Sequence, residues 1–188
     1  MPRTASGRQS ELTPHVAFLR GINVGRAKRS GMSDVRHVFS SCGYADVRTV
    51  INSGNVIFSA SSRLTPRSVK AIEDALQKQT GISSRILVLD RDELRAVVKG
   101  NTLLRHMTDE ARMMVTLMFP GVNARSVAPP AAESIAPDRL HATQRAVYTW
   151  LPDGLMHSRI PAEYWRGFKD ATTQRNWRTL AKLLALME

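Results

Sequence analysis

Short apolar runs broken by glycine and proline alternate with stretches of helical period along the first half of the chain. The run His15-Val16-Ala17-Phe18-Leu19-Arg20, bounded by Pro14 and Gly21, predicts a central β-strand. After a loop from Gly21 to Gly31, the spacing Val35, Val38, Phe39, Cys42 predicts a helix that Ser33 caps and Gly43 ends. Two β-branched runs follow, Asp46 to Ile51 and Val56 to Ser59. Asn52-Ser53-Gly54-Asn55 lies between them as turn chemistry, so the segment reads as a hairpin with Ser53-Gly54 at its turn. Thr65-Pro66 opens the next helix, with Thr as cap and Pro at its first position, and Val69, Ile72 and Leu76 face the core until Gly81. Arg85 to Leu89 is a fourth strand.

The second half is less regular. Asp90-Arg91-Asp92-Glu93 is a capping-box pattern ahead of the apolar positions Leu94, Val97 and Val98. Arg112 to Phe119 predicts a strand, and the Ala- and Pro-rich segment from Val127 to Pro137 a loop or short broken helix. A hairpin around Gln144-Arg145 joins Leu140–Thr143 to Ala146–Trp150, and a short helix runs from Pro161 to about Gly167. Leu180, Leu183, Leu184 and Met187 mark a last helix, whose start is placed at Arg175-Asn176-Trp177 with Thr172 or Thr173 as cap. No internal sequence repeat is visible.

The order β-α-β-β-α-β over residues 14–90 is that of a ferredoxin-like lobe, in which the first and third strands are central neighbours. The expected fold class is therefore α/β (α+β): two ferredoxin-like β-α-β-β lobes, antiparallel sheets with helices on one face. Residues 1–13 read as a flexible tail, 14–90 as the first lobe and 91–188 as a second α/β lobe with a C-terminal helix.

Composition narrows the class. A chain of 188 residues with 43% apolar content builds a core without disulfides or metals. Cys42 is the one cysteine, which excludes an internal disulfide and a multi-cysteine zinc site and suits a reducing compartment. Its place on an apolar helical stripe makes it a core thiol rather than a nucleophile. Neither a signal-peptide-like segment nor an apolar run long enough for a membrane span occurs, so a cytoplasmic protein is expected, with no membrane partner.

The formal net charge is +11. Residues 1–30 hold six Arg and Lys against one acid, a net +5, while the rest of the excess is spread evenly. An excess placed this way favours anionic partners, nucleic acid or a small anionic ligand. The arginine bias, 21 Arg to 6 Lys, is equally a mark of base composition.

Chemistry-bearing patterns are few. Gly21-Ile22-Asn23-Val24-Gly25 joins a strand to a helix, where glycine-rich loops hold phosphate on backbone N–H groups. Its spacing is neither that of a P-loop nor that of a dinucleotide fingerprint, and glycines permitting a tight turn account for it as well. Arg20, Asn23, Arg26, Lys28 and Arg29 are the candidate anion ligands there. Asn52, Ser53 and Asn55 offer amide and hydroxyl groups, or simply serve the hairpin turn. Arg175 and Asn176 either tie the lobes together or point into a cleft between them. The five histidines lack metal-ligand spacing, no metal or cofactor is implied, and no G-x-S-x-G elbow is present. Phe18 and Phe58 lie on central strands, as the base-stacking aromatics of RNA-binding sheets do, but the accompanying motif is absent and burial is the expectation.

Three segments taken together are more specific: Phe18-Leu19-Arg20-Gly21-Ile22-Asn23-Val24-Gly25, Val50 to Phe58, and Thr172-Thr173-Gln174-Arg175-Asn176-Trp177. The set resembles a widespread, mostly bacterial family of domains of unknown function, marked by LRGINVG, NSGNVIF and RNW, over about residues 15–187. The resemblance implies a small cytoplasmic protein with ferredoxin-like lobes and brings no activity, substrate or catalytic residue. Arg26 stands where members often have a second glycine, and Arg178 where they often have Asn, so both departures add positive charge.

The sequence thus leaves three readings of an uncharacterised protein. One is a module that binds an anionic ligand, nucleic acid or nucleotide-like, through the basic loop. The second is an enzyme acting on a small anionic metabolite in an inter-lobe cleft. The third is a protein-interaction or dimerisation module.

Overall fold

The computed structural model of the protein describes residues 12–21, 31–51, 54–61 and 63–188. The first sheet comprises β1 (Thr13–Leu19), β2 (Ala45–Thr49), β3 (Asn55–Ala60) and β4 (Ile86–Asp90), in the order β2-β3-β1-β4 with antiparallel neighbours. Helix α1 (Met32–Ser41) joins β1 to β2, and α2 (Pro66–Thr80) joins β3 to β4. This is the ferredoxin-like connectivity, with β1 and β3 central. Thr65 caps α2 as its sequence indicates, accepting from the Ser68 N–H, and Gly81 at φ +72° closes it in the left-handed conformation. Helix α1 differs: Gly31, not Ser33, occupies the N-cap position, and no side chain caps the helix there.

The second half repeats the plan. Strands β5 (Met113–Met118), β6 (Arg139–Ala142), β7 (Ala146–Trp150) and β8 (Thr172–Asn176) form a sheet in the order β6-β7-β5-β8. Its crossovers hold only the short helices α4 (Ala132–Ile135) and α5 (Ala162–Arg166). Each sheet is followed by one more helix, α3 (Arg91–Lys99) after β4 and α6 (Trp177–Ala185) after β8. Asp90 caps α3 within a complete capping box with Glu93, and Asn176 caps α6 by accepting from Thr179 N–H and Oγ1. The segment Thr172–Asn176 is therefore a strand ending in a cap, not the start of a helix capped by Thr172 or Thr173. Its side chains carry no apolar alternation, which is why it reads as polar lead-in.

Three apolar clusters hold the layers together. Helices α1 and α2 cover the outer face of the first sheet, on Ala17, Leu19, Val56, Phe58 and Ile86. The inner faces of both sheets share one central core with α3 and α6: Val16, Phe18, Ile57, Leu87 and Leu89 from the first sheet join Val115, Leu117, Tyr148, Trp150, Trp177, Leu180 and Leu183. A smaller cluster under α4 and α5 contains Met118, Val147, Tyr164 and Phe168. Phe18 and Phe58 are fully buried, each worth about 2–3 kcal/mol of apolar burial, and neither is available to stack a base. Cys42 is half-buried against the outer cluster, and burial pushes its thiol pKa up. Among the described residues no helix is long and apolar enough to cross a membrane.

Candidate functional site

The three motif segments meet at one guanidinium. Arg175 lies on the inner face of β8, opposite Val115 of β5. Its Nε donates to Asn55 Oδ1 at 2.6 Å, and its Nη2 donates to the carbonyls of Leu19 at 3.0 Å and Gly54 at 3.3 Å. Nη1 donates to Thr173 Oγ1 and to the Gln174 carbonyl, and the guanidinium carbon stands 5.4 Å from the centre of the Phe18 ring. No carboxylate pairs with it among the described residues. Removed from water without a counter-charge, the Arg175 guanidinium is pulled down to about 10, still charged at neutral pH.

Arg20 crosses the same boundary. Its Nε donates to the Thr172 carbonyl at 3.0 Å, and its Nη2 pairs with Asp170 at 2.7 Å. Arg85 reaches the Asp170 carbonyl at 3.1 Å and lies over the Phe119 ring at 4.2 Å. Three arginines thus lace the two lobes through main-chain carbonyls. Of the residues singled out in the sequence, Arg20, Asn55 and Arg175 are brought together here, their polar atoms turned largely to protein partners. Asn176 caps α6. Asn23, Arg26, Lys28, Arg29, Asn52 and Ser53 lie outside the described residues. Next to Asn52, Ile51 has φ +57°, an uncommon conformation for a β-branched residue.

Beside this junction a cleft of about 470 Å³ opens between the lobes, over the edge strand β4. Its walls come from α2 and the residues before it, from β4, and from Phe119, Pro120 and Arg145 of the second lobe. Four cations line it, Arg63, Lys70, Arg85 and Arg145, with three carboxylates, Glu73, Asp90 and Glu93. The carboxylates already serve backbone donors. Glu73 accepts from the Ile86 N–H at 2.8 Å, while Asp90 and Glu93 accept from each other's N–H groups. Arg63 and Arg145 converge on Glu93 Oε1, the latter at 3.6 Å.

His15 forms part of the inner wall. Its ring stacks on Phe58 and is 1% exposed, and Nδ1 lies 2.9 Å from the Thr13 carbonyl. That contact places the proton of a neutral ring on Nδ1 and leaves Nε2, which has no partner among the described residues, as the acceptor. Sequence reasoning offered an inter-lobe cleft for an anionic metabolite but missed its four cations and their convergence, because they come from four separate places in the chain and share no motif. The one signal was position: Arg145 in a hairpin turn and Arg85 immediately before a strand. Among the described residues no group of three His, Cys, Asp or Glu is arranged to hold a metal ion.

The family model described as a protein of unknown function (DUF1697) matches residues 12–148. The chain belongs to the DUF1697 family. That span takes in two of the three motif segments, and Arg175 joins the third to them in space. No curated protein matches the chain. Among solved structures, it is similar to the conserved bacterial protein SP0830 from Streptococcus pneumoniae, with a TM-score of 0.67 at 18% identity, covering 95% of this chain and 100% of that one. This similarity shows the fold, two lobes with antiparallel sheets, shared along nearly the whole length. The DUF1697 assignment and the shared fold together describe an uncharacterised protein.

Proposed function

We propose that this DUF1697 protein is a cytoplasmic binding protein for a small anionic ligand, held in the inter-lobe cleft. The observation that carries the reading is the convergence of four cations, Arg63, Lys70, Arg85 and Arg145, on one concavity, where they outnumber its three carboxylates, of which Glu93 pairs with Arg63 and Arg145. The volume suits a metabolite, and a cleft between two lobes is a common place for one. Arg20, whose N–H donates to the Arg85 carbonyl at 2.9 Å, ties the first motif segment to one of the cleft's cations.

The test is thermal unfolding and calorimetric titration with inorganic pyrophosphate and citrate. Wild type is compared with the double variant Lys70→Ala, Arg145→Ala, whose side chains are substantially exposed and do not carry the core. Binding to wild type and its loss in the variant support the reading. No binding by either anion, or binding that ignores both substitutions, overturns the cleft as the site. A parallel titration with single-stranded RNA over about 50–200 mM salt reads the nucleic-acid alternative, which requires steep weakening with salt and a preference among sequences.

A further inference from the structure

The duplicated topology places a second concavity in the second lobe, at the counterpart of the first. It has a volume of about 410 Å³ and lies on the outer face of the β5–β8 sheet. Its floor is Thr116, Thr149, Thr172 and Gln174, and its sides include Leu155, Ile160 and Trp165. None of the described side chains lining it is charged. The strand registers align the two sheets residue by residue. Asp90 pairs with His15 and Asn176 with Met114, so Thr116 stands where Ala17 stands in the first lobe, and Thr172 and Gln174 stand where Ile86 and Val88 do. By the pairings of His15 with Phe58 and Met114 with Thr149, Thr149 takes the place of Phe58. Four apolar positions of one lobe are thus polar and uncharged in the other.

The covering differs in the same sense. In the first lobe α1 and α2 are 10 and 15 residues long and cover Ala17 and Phe58, leaving Ile86 and Val88 at the wall of the cationic cleft, whereas α4 and α5 have 4 and 5 residues and leave Thr172 and Gln174 partly exposed. Ordinary packing would fill such a floor with Val or Leu. Instead Thr149 is 1% exposed, and its Oγ1 has no hydrogen-bond partner among the described residues. A buried hydroxyl without a partner is costly unless something supplies one. The neighbouring Gln174 amide donates to Thr116 Oγ1 at 3.0 Å, which holds the floor in register. Trp165 supplies a flat wall above it.

We infer that this pocket is a second ligand site, independent of the cationic cleft, for an uncharged molecule that presents an amide or hydroxyl edge to Thr149 and Gln174 and a flat apolar body to Trp165. The fit is by exclusion of charge as much as by contact: an ion would surrender its hydration to a pocket that offers no counter-charge. The two lobes then use corresponding places in the fold for opposite chemistries.

Benzamide and benzoate, the same ring with a neutral and an anionic head, make the test. Saturation-transfer NMR with the full chain reads binding of each. Benzamide is expected to bind and benzoate to bind at least several-fold more weakly. Thr149→Val keeps the shape and removes the hydroxyl, so it is expected to fold at least as well and to weaken benzamide about three- to tenfold. Trp165→Leu is expected to weaken it further, while Lys70→Ala with Arg145→Ala leaves it unchanged and so separates this site from the cleft. Absence of benzamide binding, equal or preferred binding of benzoate, or indifference to Thr149→Val overturns the inference.

Discussion

The Nε of Arg175 donates to Oδ1 of Asn55 at 2.6 Å, joining residues 120 positions apart across the boundary between the lobes. Asn55 is buried and Arg175 partly so, and the same guanidinium also donates to the Leu19 and Gly54 carbonyls. Arg175→Met removes the guanidinium donors to Asn55 Oδ1 and the Leu19 carbonyl, while the Gly54 carbonyl still accepts from the Leu19 N–H, and is expected to cost about 3 kcal/mol of stability, read as a lower urea midpoint. Arg175→Lys recovers only part of this, because an ammonium cannot reproduce the guanidinium fork. A double-mutant cycle with Asn55→Ala should show a coupling of about 1 kcal/mol or more. Additive losses would mean that the pair is a bystander.

Ile51 offers a test of opposite sign. Its φ of +57° puts a β-branched side chain in the left-handed region, and 46% of its surface is exposed, so little packing is lost on replacement. Asparagine tolerates this backbone, and Ile51→Asn is expected to raise stability by about 1 kcal/mol. A lower melting temperature would show that the Ile51 side chain has contacts that outweigh the strain.

The caps of α3 and α6 occupy corresponding positions in the two lobes. Asn176→Ala removes the acceptor for Thr179 N–H and is expected to cost about 1 kcal/mol, while Asn176→Asp keeps it and should lie within a few tenths of wild type. Denaturant midpoints of the two variants give the comparison. If Asp proved as damaging as Ala, capping would not be the role of this side chain.

Tyr164 sets an alkaline limit. Burial pushes its phenol up to about 12 from the ordinary value of 10, so the folded state holds the proton longer than the unfolded chain does. The resulting stabilisation is complete below pH 10 and is lost as pH rises toward 12. Tyr164→Phe should flatten this part of the stability profile, measured by urea unfolding between pH 9 and 12. At neutral pH it should be neutral or stabilising, because the Tyr164 hydroxyl is buried without a partner among the described residues. An unchanged alkaline slope would assign the effect to other groups.

The first lobe was legible because its elements are long enough to show a period and carry explicit punctuation. Thr65-Pro66 before α2 and Asp90 with Glu93 before α3 act in the structure as their sequence suggests. In the second lobe the crossover helices are too short for a helical period to emerge. Strand β8 was misread for a physical reason: its outward positions, Thr172 and Gln174, floor a pocket, and inward-facing Arg175 lies on the lobe boundary. A strand whose two faces serve polar tasks leaves no apolar alternation to detect. An inter-lobe cleft was among the readings of the sequence, but its cationic lining was not legible, since Arg63, Lys70, Arg85 and Arg145 converge only through tertiary structure. Sequence did mark Arg20, Asn55 and Arg175 as notable, but nothing in an isolated arginine announces that its partners are carbonyls of the other lobe.

The shared central core has a consequence for how the chain is made. As the polypeptide leaves the ribosome, all four strands of the first sheet are available once Asp90 has emerged, and α1 and α2 can cover only its outer side. The other side, with Val16, Phe18, Ile57, Leu87 and Leu89, waits for residues as late as Trp177, Leu180 and Leu183 to be synthesised. Until then Leu94 and Val97 of α3 cover that oily face only in part. That makes the half-made chain a natural client for chaperones, and it makes a premature stop far more damaging than the loss of one lobe from a pair of independent ones.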